Sequence, residues 1–238
     1  MVLGLGTMIN CGGIIAGGLF GLLFGNLLQK RFQEILMTAT AVCVLFIGIG
    51  GALQEMLTIS NGQLSSGGTM MMIGSFAIGA LLGEWMNIEL RLEQFGQWLK
   101  RKTGSSEDAS FVDGFVNASL TVCVGAMAVV GAIQDGMEGD YSILAAKAIL
   151  DFLIILIMTA SLGKGCLFAA VPVAIFQGLL TILARFIKPF MTAAALSNLS
   201  LVGSIMIFCV GVNLLWNKGI RVANLLPGLV IAVLWAFL

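Results

Sequence analysis

The sequence contains no histidine, and only 10% of its 238 residues are charged. Without an imidazole the chain has neither a histidine proton relay nor a histidine metal site. Its basic and acidic residues balance to a formal net charge of +0, which excludes the basic surface that binds nucleic acid. A soluble domain carries about 25% charged residues, so the low charged fraction also excludes a soluble globular protein.

Enzyme signatures are absent as well. The sequence has no GxxxxGK[ST] phosphate loop, no nucleophile elbow, and no serine–histidine couple of the kind an intramembrane protease uses. We therefore predict a protein that is not an enzyme and holds no cofactor or metal. The cysteines are too far apart for a disulfide framework or zinc site, so we interpret them as buried free thiols: Cys11, Cys43, Cys123, Cys166 and Cys209.

Hydrophobic residues dominate what is present, at 59% of the chain, with a mean hydropathy of +1.05. A membrane-spanning helix needs roughly 20 mainly apolar residues. We therefore predict an all-α polytopic membrane protein, one integral domain over residues 1–238, in contact with the lipid bilayer. The first apolar stretch has no basic leading segment, so we expect no cleavable signal peptide. The predicted spans are 4–25, 35–56, 68–87, 111–134, 142–162, 164–186, 194–216 and 220–238.

A helix-pair unit repeats along the chain. Copies one (4–57) and two (66–137) share a Gly-Thr pair near their starts, at Gly6-Thr7 and Gly68-Thr69, and a fainter third copy covers 163–216. The linking span 142–162 separates copies two and three, so the third must insert upside down. With the final span 220–238, this predicts a 3+3 inverted core plus two N-terminal helices. Many secondary transporters build two gates around one site from such opposed copies.

Glycine recurs at every fourth position in the first span, at Gly13, Gly17, Gly21 and Gly25, and again in the third span at Gly79 and Gly83. Stripes of small residues let helix backbones approach closely in lipid, within a subunit or across a homo-oligomer, of which a dimer is our expectation. The alternative is that glycine-rich stretches such as Gly48–Gly51 and Gly125–Gly131 let a helix open, so that carbonyl groups could bind an ion.

The longest polar interruption is 88–110, where Ile88, Leu92, Phe95 and Leu99 share one helical face. This pattern predicts an amphipathic helix in the membrane interface, although a solvated loop has the same composition. Loops after the odd-numbered spans hold nine basic residues and the opposite side holds two, Arg185 and Lys188. The positive-inside rule then places the odd-numbered loops in the cytoplasm and both termini outside.

Asp151 lies about 14 Å into the fifth predicted span at 1.5 Å per residue, with Lys147 one turn earlier on the same face. A carboxylate at that depth costs about 2.5–3.5 kcal/mol to insert. Two interpretations remain open. The pair neutralises itself within one helix, or Asp151 lies on the path of an ion or solute.

Further polar residues extend this candidate path. Asp113, Asn117 and Thr121 form a polar stripe in span 4, which leads to Gly125, and we assign Gln134 and Asp135 to an outer gate. Glu55, Glu138 and Asp140 would form an acidic outer mouth that concentrates cations, or simply solvate loops. The remaining polar residues within spans are typical of interhelical hydrogen bonds: Asn10, Thr40, Ser119, Gln177 and Asn213.

The segment FVDGFVNASLTVCVGAMAVVGAIQDGMEGDYSILAAKAILD, together with GTxxN at Gly6–Asn10 and LLPGL at Leu225–Leu229, resembles the YqgA/YdfK family of bacterial inner-membrane proteins. The resemblance covers essentially the whole chain and implies plasma-membrane residence but no substrate. The family pattern leads us to expect a proline between Gly125 and Met127, where this chain has Ala126.

Three functions fit these patterns. The leading hypothesis is a secondary transporter or permease for a small solute or ion, in which Asp151 takes the coupling ion and Lys147 tunes its charge. The second is an ion channel that uses the same residues without alternating access. The third is a membrane scaffold or partner subunit, in which the glycine stripes form interfaces and nothing is transported.

Overall fold

The computed structural model describes residues 4–27, 29–60, 63–105, 108–123, 126–216 and 219–238. Short 3-10 segments, Lys164–Ala169, Lys188–Phe190 and Val222–Leu225, lie between some of the α-helices. The α-helices are α1 (Leu5–Leu27), α2 (Lys30–Met56), α3 (Thr69–Met86), α4 (Ile88–Lys102), α5 (Phe111–Cys123), α6 (Ala126–Glu138), α7 (Ser142–Leu162), α8 (Ala170–Ile182), α9 (Ala184–Ile187), α10 (Ala193–Trp216) and α11 (Pro227–Trp235).

Six helical segments in the described chain are long and apolar enough to cross a membrane, and the bent pair α5–α6 makes a seventh if it counts as one span. This confirms a helical polytopic membrane protein, with six to seven full spans in place of the predicted eight. The predicted last span, 220–238, contains a shorter apolar helical segment, Val222–Trp235. Its 14 residues measure about 21 Å, less than the roughly 30 Å hydrocarbon core.

The axes of α5 and α6 differ by 63°. Val124 and Gly125 lie between the two helices, outside the described residues. Ala126 begins α6, so the bend forms without the proline expected for the family. The other proposed opening, at Gly48–Gly51, is wrong because α2 continues through it to Met56.

The glycine stripe of α1 packs against the backbone of α7. A methyl group on Gly13 would lie 2.8 Å from the carbonyl oxygen of Ala148, and one on Gly25 would lie 3.1 Å from Ala160. Side chains at these positions would push the helices apart. The four glycines contact α7 in ascending order, so the two helices run parallel: Gly13 at Ala148, Gly17 at Phe152, Gly21 at Leu156 and Gly25 at Ala160.

Two further helix pairs use glycine in the same way but run antiparallel. In the α2–α10 pair, Gly48 lies against Phe208 and Gly51 against Ser204. On α3, Gly79 lies against Gly228 of α11, and Gly83 lies against Asn224 in the 3-10 segment that precedes α11. The broken helix α5–α6 lies between these pairs, where Gly114 contacts Leu162 and Gly136 contacts Thr181.

A short β-hairpin departs from the all-α prediction. Leu57–Ser60 pairs antiparallel with Gln63–Ser66, and Leu57 is opposite Ser66. The sequence signal was the Asn61-Gly62 dipeptide, a combination typical of two-residue hairpin turns, which lies outside the described residues. The hairpin is solvent-exposed and joins α2 to α3.

Helix α4 forms within the predicted amphipathic stretch. Leu99 is buried, and Ile88, Leu92 and Phe95 pack against the core cluster that contains Phe115. The ring centroids of Phe95 and Phe115 are 5.8 Å apart. The apolar face of α4 therefore covers α5, and the basic residues Lys100, Arg101 and Lys102 follow in its last turn.

Both ends of the chain lie at one end of the bundle, which we call the terminal end. Gly6 is hydrogen-bonded to Asp135, and Lys188 lies 3.9 Å from Glu138, three residues further along α6. The ring centroids of Phe190 and Phe237 are 6.2 Å apart. We call the opposite end, which carries α4, the α4 end.

The first prediction concerns the α1–α7 stripe. Gly21→Ala places a methyl group against the carbonyl oxygen of Leu156 and should cost about 1–3 kcal/mol by overpacking. Thermal unfolding in detergent should show a lower Tm. Gly12→Ala is the matched control, because nothing lies within 4 Å of that position and alanine favours a helix by about 1 kcal/mol. Equal Tm values for both variants would contradict the packing model.

The second prediction concerns orientation. A reporter that is active only in the cytoplasm should stay silent when fused after Leu238, because basic residues concentrate at the α4 end. The same reporter fused after Thr103 should be active and controls for expression. A strong signal from the Leu238 fusion would place the C-terminus in the cytoplasm and contradict the predicted orientation.

Candidate functional site

Lys147 and Asp151 form a buried ion pair within α7. The Lys147 Nζ atom lies 2.7 Å from Asp151 Oδ1 and 2.5 Å from Asp151 Oδ2, so it contacts both carboxylate oxygens. The two residues are 7% and 3% exposed, and they face the bundle interior, away from lipid. Taking two charges out of water costs free energy, so further hydrogen bonds to the pair are needed to offset that cost.

The lysine also reaches the broken helix. Its Nζ atom donates a hydrogen bond to the carbonyl oxygen of Val122, at 2.9 Å. Val122 lies in the last turn of α5, where carbonyl groups have no helical N–H partner and the helix dipole is negative. Lys147 therefore caps α5 as well as neutralising Asp151.

A cavity of about 670 Å³, which we call the vestibule, opens at the α4 end. Among the described residues, its polar lining is rich in carboxylates, with Glu89, Glu93 and Asp113, while one cation, Arg221, is bonded to Glu84. The remaining polar lining consists of Asn87, Ser110, Asn117, Asn213 and Asn224. The vestibule therefore has a net negative lining.

Reciprocal hydrogen bonds hold one wall of the vestibule together. The Glu89 N–H donates to Asn224 Oδ1 at 2.8 Å, and the Ala223 N–H donates to Glu89 Oε2 at 2.7 Å. Burial raises the pKa of the Glu89 carboxyl, and the Ala223 hydrogen bond opposes that shift. Each residue caps the helical segment of the other, which fixes α4 to the segment before α11.

The polar stripe of α5 begins in the vestibule. Asn117 Nδ2 donates to the carbonyl oxygen of Asp113, and Thr121 Oγ1 donates to that of Asn117. Thr121 is buried one turn beyond the vestibule, next to Val122. Met37 and Leu214 line the vestibule and also pack against the buried cluster that contains Val122. The same cluster contains Ile155 and Met158, which lie on α7 between Asp151 and the vestibule residue Leu162, so an apolar layer separates the vestibule from the ion pair.

Two buried polar contacts join α1 to α8 on the other side of the ion pair. Asn10 Nδ2 donates to Gln177 Oε1 at 3.3 Å, and the hydroxyl oxygens of Thr7 and Thr181 are 3.5 Å apart. The Asn10 side chain also interacts with the Asp151 carboxylate. Polar side chains therefore continue from the ion pair toward the terminal end.

The two residues assigned to the outer gate, Gln134 and Asp135, lie in different environments. Asp135 is fully buried and accepts a hydrogen bond from the Gly6 N–H at 3.0 Å. Gln134 lines a shallow depression of about 180 Å³ with Glu138 and Lys188. Gly125 lies outside the described residues.

The three acidic residues assigned to an outer mouth have separate local partners. Glu55 accepts a hydrogen bond from Ser197 Oγ at 2.6 Å, and Glu138 faces Lys188. Asp140 accepts from the Ser142 N–H at the start of α7, which lowers the pKa of its carboxyl. Among the described residues, no three acidic or thiol side chains are grouped closely enough to hold a metal ion.

The comparison with known families matches residues 5–237 to the family described as "Protein of unknown function (DUF554)". The chain belongs to this family. The match confirms the resemblance to the YqgA/YdfK family that the sequence indicated. No solved structure shows significant similarity to the chain.

Two members of the DUF554 family illustrate the similarity. The chain is 29% identical over 226 residues to "Uncharacterized membrane protein YdfK" of Bacillus subtilis (strain 168), covering 95% of this chain and 93% of that protein. It is 27% identical over 233 residues to "Uncharacterized protein YqgA" of Escherichia coli (strain K12), covering 96% and 94%. The similarity therefore extends across the whole membrane domain.

Sequence reasoning missed the vestibule. It assigned Glu89 and Glu93 to an interfacial helix, and it gave Asn224 no role. Their sequence signal was weak, because polar residues are common at any membrane interface. Asn10 and Gln177 were recognised as polar but not as neighbours of Asp151, since they come from helices 167 residues apart in sequence.

The third prediction concerns the ion pair. Lys147→Met leaves the Asp151 carboxylate and the Val122 carbonyl without their partner, and should cost about 3–5 kcal/mol as a broken buried pair. Asp151→Asn should cost less, because an amide oxygen can still accept from Lys147. The double variant should recover part of the Lys147→Met loss, since no buried charge remains. Thermal unfolding in detergent would measure the stability of each variant. A loss in the double variant equal to the sum of the two single losses would mean that the pair is not coupled.

Proposed function

We propose that this protein is a secondary transporter or permease for a small solute or ion in the bacterial plasma membrane. If the bent pair α5–α6 and the shorter segment Val222–Trp235 each cross the membrane beside the six full spans, there are eight crossings with both termini outside. Spans 3–5 would then lie against an inverted set formed by spans 6–8. Asp151 would take the coupling ion, and Lys147 would set its charge state. Homo-oligomerisation remains our expectation for its assembly.

The observation that carries the proposal is the position of the ion pair. Lys147 and Asp151 lie between a vestibule open at the α4 end and buried polar contacts on the terminal side. Intramembrane ionisable residues that face an interior cavity commonly mark substrate or ion pathways. Leu162, three turns beyond Asp151 on α7, lines the vestibule, so the cavity and the pair lie along one helix.

Alternating access explains this arrangement better than a channel. A conducting channel needs a continuous path, whereas the apolar cluster that contains Ile155 and Met158 lies between the vestibule and the ion pair. On the terminal side, Asn10 and Gln177 are both 0% exposed. The molecule therefore resembles an occluded carrier, with a vestibule open at the α4 end and the ion pair closed off from both ends.

The fourth prediction tests transport without a known substrate. Purified protein is reconstituted into liposomes that take up a small-molecule extract of bacterial cells, and mass spectrometry identifies the compounds that enter. At least one compound should accumulate in wild-type vesicles and not in Asp151→Asn vesicles, because the amide cannot take up the coupling ion.

Asp140→Asn is the matched control, since Asp140 is exposed and an asparagine can also cap the start of α7. This variant should transport like the wild type. Uptake equal to that of empty liposomes would favour a scaffold. Steady single-channel currents in a planar bilayer would favour a channel.

A further inference from the structure

Five buried polar side chains form a file between the ion pair and the terminal end. In order from Asp151 they are Asn10, Gln177, Thr7, Thr181 and Asp135, and we call this set the terminal file. Thr7 and Asn10 lie on successive turns of α1, and Gln177 and Thr181 lie on successive turns of α8, so their contacts stack. Asp135 joins the file through the N–H of Gly6, the residue before Thr7.

Three atoms in this file find no hydrogen-bonding partner among the described residues. They are Asn10 Oδ1, Gln177 Nε2 and Asp135 Oδ1, and all three residues are 0% exposed. Buried polar atoms are normally paired with protein or ordered water. One free donor and two free acceptors in a single file are the groups that water molecules would bridge.

A shallow depression lies near the outer end of the terminal file. Gln134, next to Asp135 in α6, lines the shallow depression of about 180 Å³ at the terminal end. Asp135 is fully buried and does not itself line the depression. At the other end of the file, the Asn10 side chain meets the Asp151 carboxylate.

We infer that the coupling ion is the proton, and that water bridging the terminal file carries it from the terminal end to Asp151. This inference rests on the proposed transport function. A hydronium ion at the terminal end gives one proton to the first water of the file, and each water passes one proton on as it accepts one. The last water breaks an O–H bond as an O–H bond forms on a carboxylate oxygen of Asp151, every water of the file stays neutral, and Lys147 keeps its own proton. Release toward the vestibule reverses these steps and returns the proton to water, so charge and atoms balance.

The geometry favours a proton over a metal cation. Lys147 Nζ already contacts both oxygens of Asp151, so a sodium ion at the carboxylate would face an ammonium group at close range. Protonation instead neutralises the carboxylate and leaves one positive charge. In the described chain, the other titratable groups that interact with Asp151 are the thiols of Cys11 on α1 and Cys123 on α5.

The fifth prediction replaces the central amides with apolar side chains of similar size, as Asn10→Leu/Gln177→Met. Removing both amides leaves no new unpaired atom, so this variant should unfold at the wild-type Tm or above. Proton entry into extract-loaded liposomes after an external acid step, followed with entrapped pyranine, should slow at least about tenfold, the scale of one lost hydrogen bond.

Two controls separate a proton path from a structural role. Gln54→Met makes the same chemical change at an exposed position of α2 and should leave proton entry unchanged. Asn10→Ser/Gln177→Ser keeps hydroxyl groups and room for water, so it should retain more proton entry than the apolar variant. Proton entry within about twofold of wild type in a folded apolar variant would overturn the inference.

The driving ion gives a second, independent readout. Solute accumulation in wild-type liposomes should follow an inward proton gradient and not a sodium gradient. Uptake driven only by sodium would overturn the proton inference while leaving the transport function intact. Uptake of neither solutes nor protons above empty liposomes would overturn both.

Discussion

The hydrogen bond from Lys147 to the carbonyl oxygen of Val122 is the interaction on which the centre of this bundle depends. A helix that breaks within a membrane exposes carbonyl groups that water cannot reach, and each unsatisfied group costs several kcal/mol. Lys147 satisfies one of these groups, and Asp151 balances the charge that this requires. The bend between α5 and α6 and the ion pair on α7 therefore support each other.

The glycine stripe of α1 determines whether the hydrogen bond from Lys147 to Val122 can form. Lys147 reaches α5 only if α7 is held at a defined position, and the α1 stripe lets α1 and α7 pack backbone to backbone along four successive contacts. The same close packing brings Asn10 of α1 to the side of Asp151 opposite the vestibule. Small residues thus act on the site indirectly, by fixing the distances between helices that carry polar groups.

The sequence allowed much of the fold to be predicted, for physical reasons that act locally. Long apolar segments predict spanning helices whatever their neighbours are, and Lys147 and Asp151 lie one turn apart on any helix. The vestibule was not predictable in this way, because Glu89, Asp113 and Asn224 come from separate segments. The role of the three predicted mouth carboxylates was not predictable either, because it depends on which groups lie beside them. Ser197 binds Glu55, Lys188 lies beside Glu138, and the Ser142 N–H binds Asp140.

By itself, the sequence determined the membrane class, the family, the glycine stripes and the presence of a charged pair deep in an apolar helix. Only the tertiary structure decided what these features contact: that α1 runs parallel to α7, that Lys147 caps α5, and that Asn10 meets Gln177. The reason is that periodicity specifies which face of a helix is small or polar but not which other helix covers it. That choice depends on packing and hydrogen-bond satisfaction summed over the whole bundle.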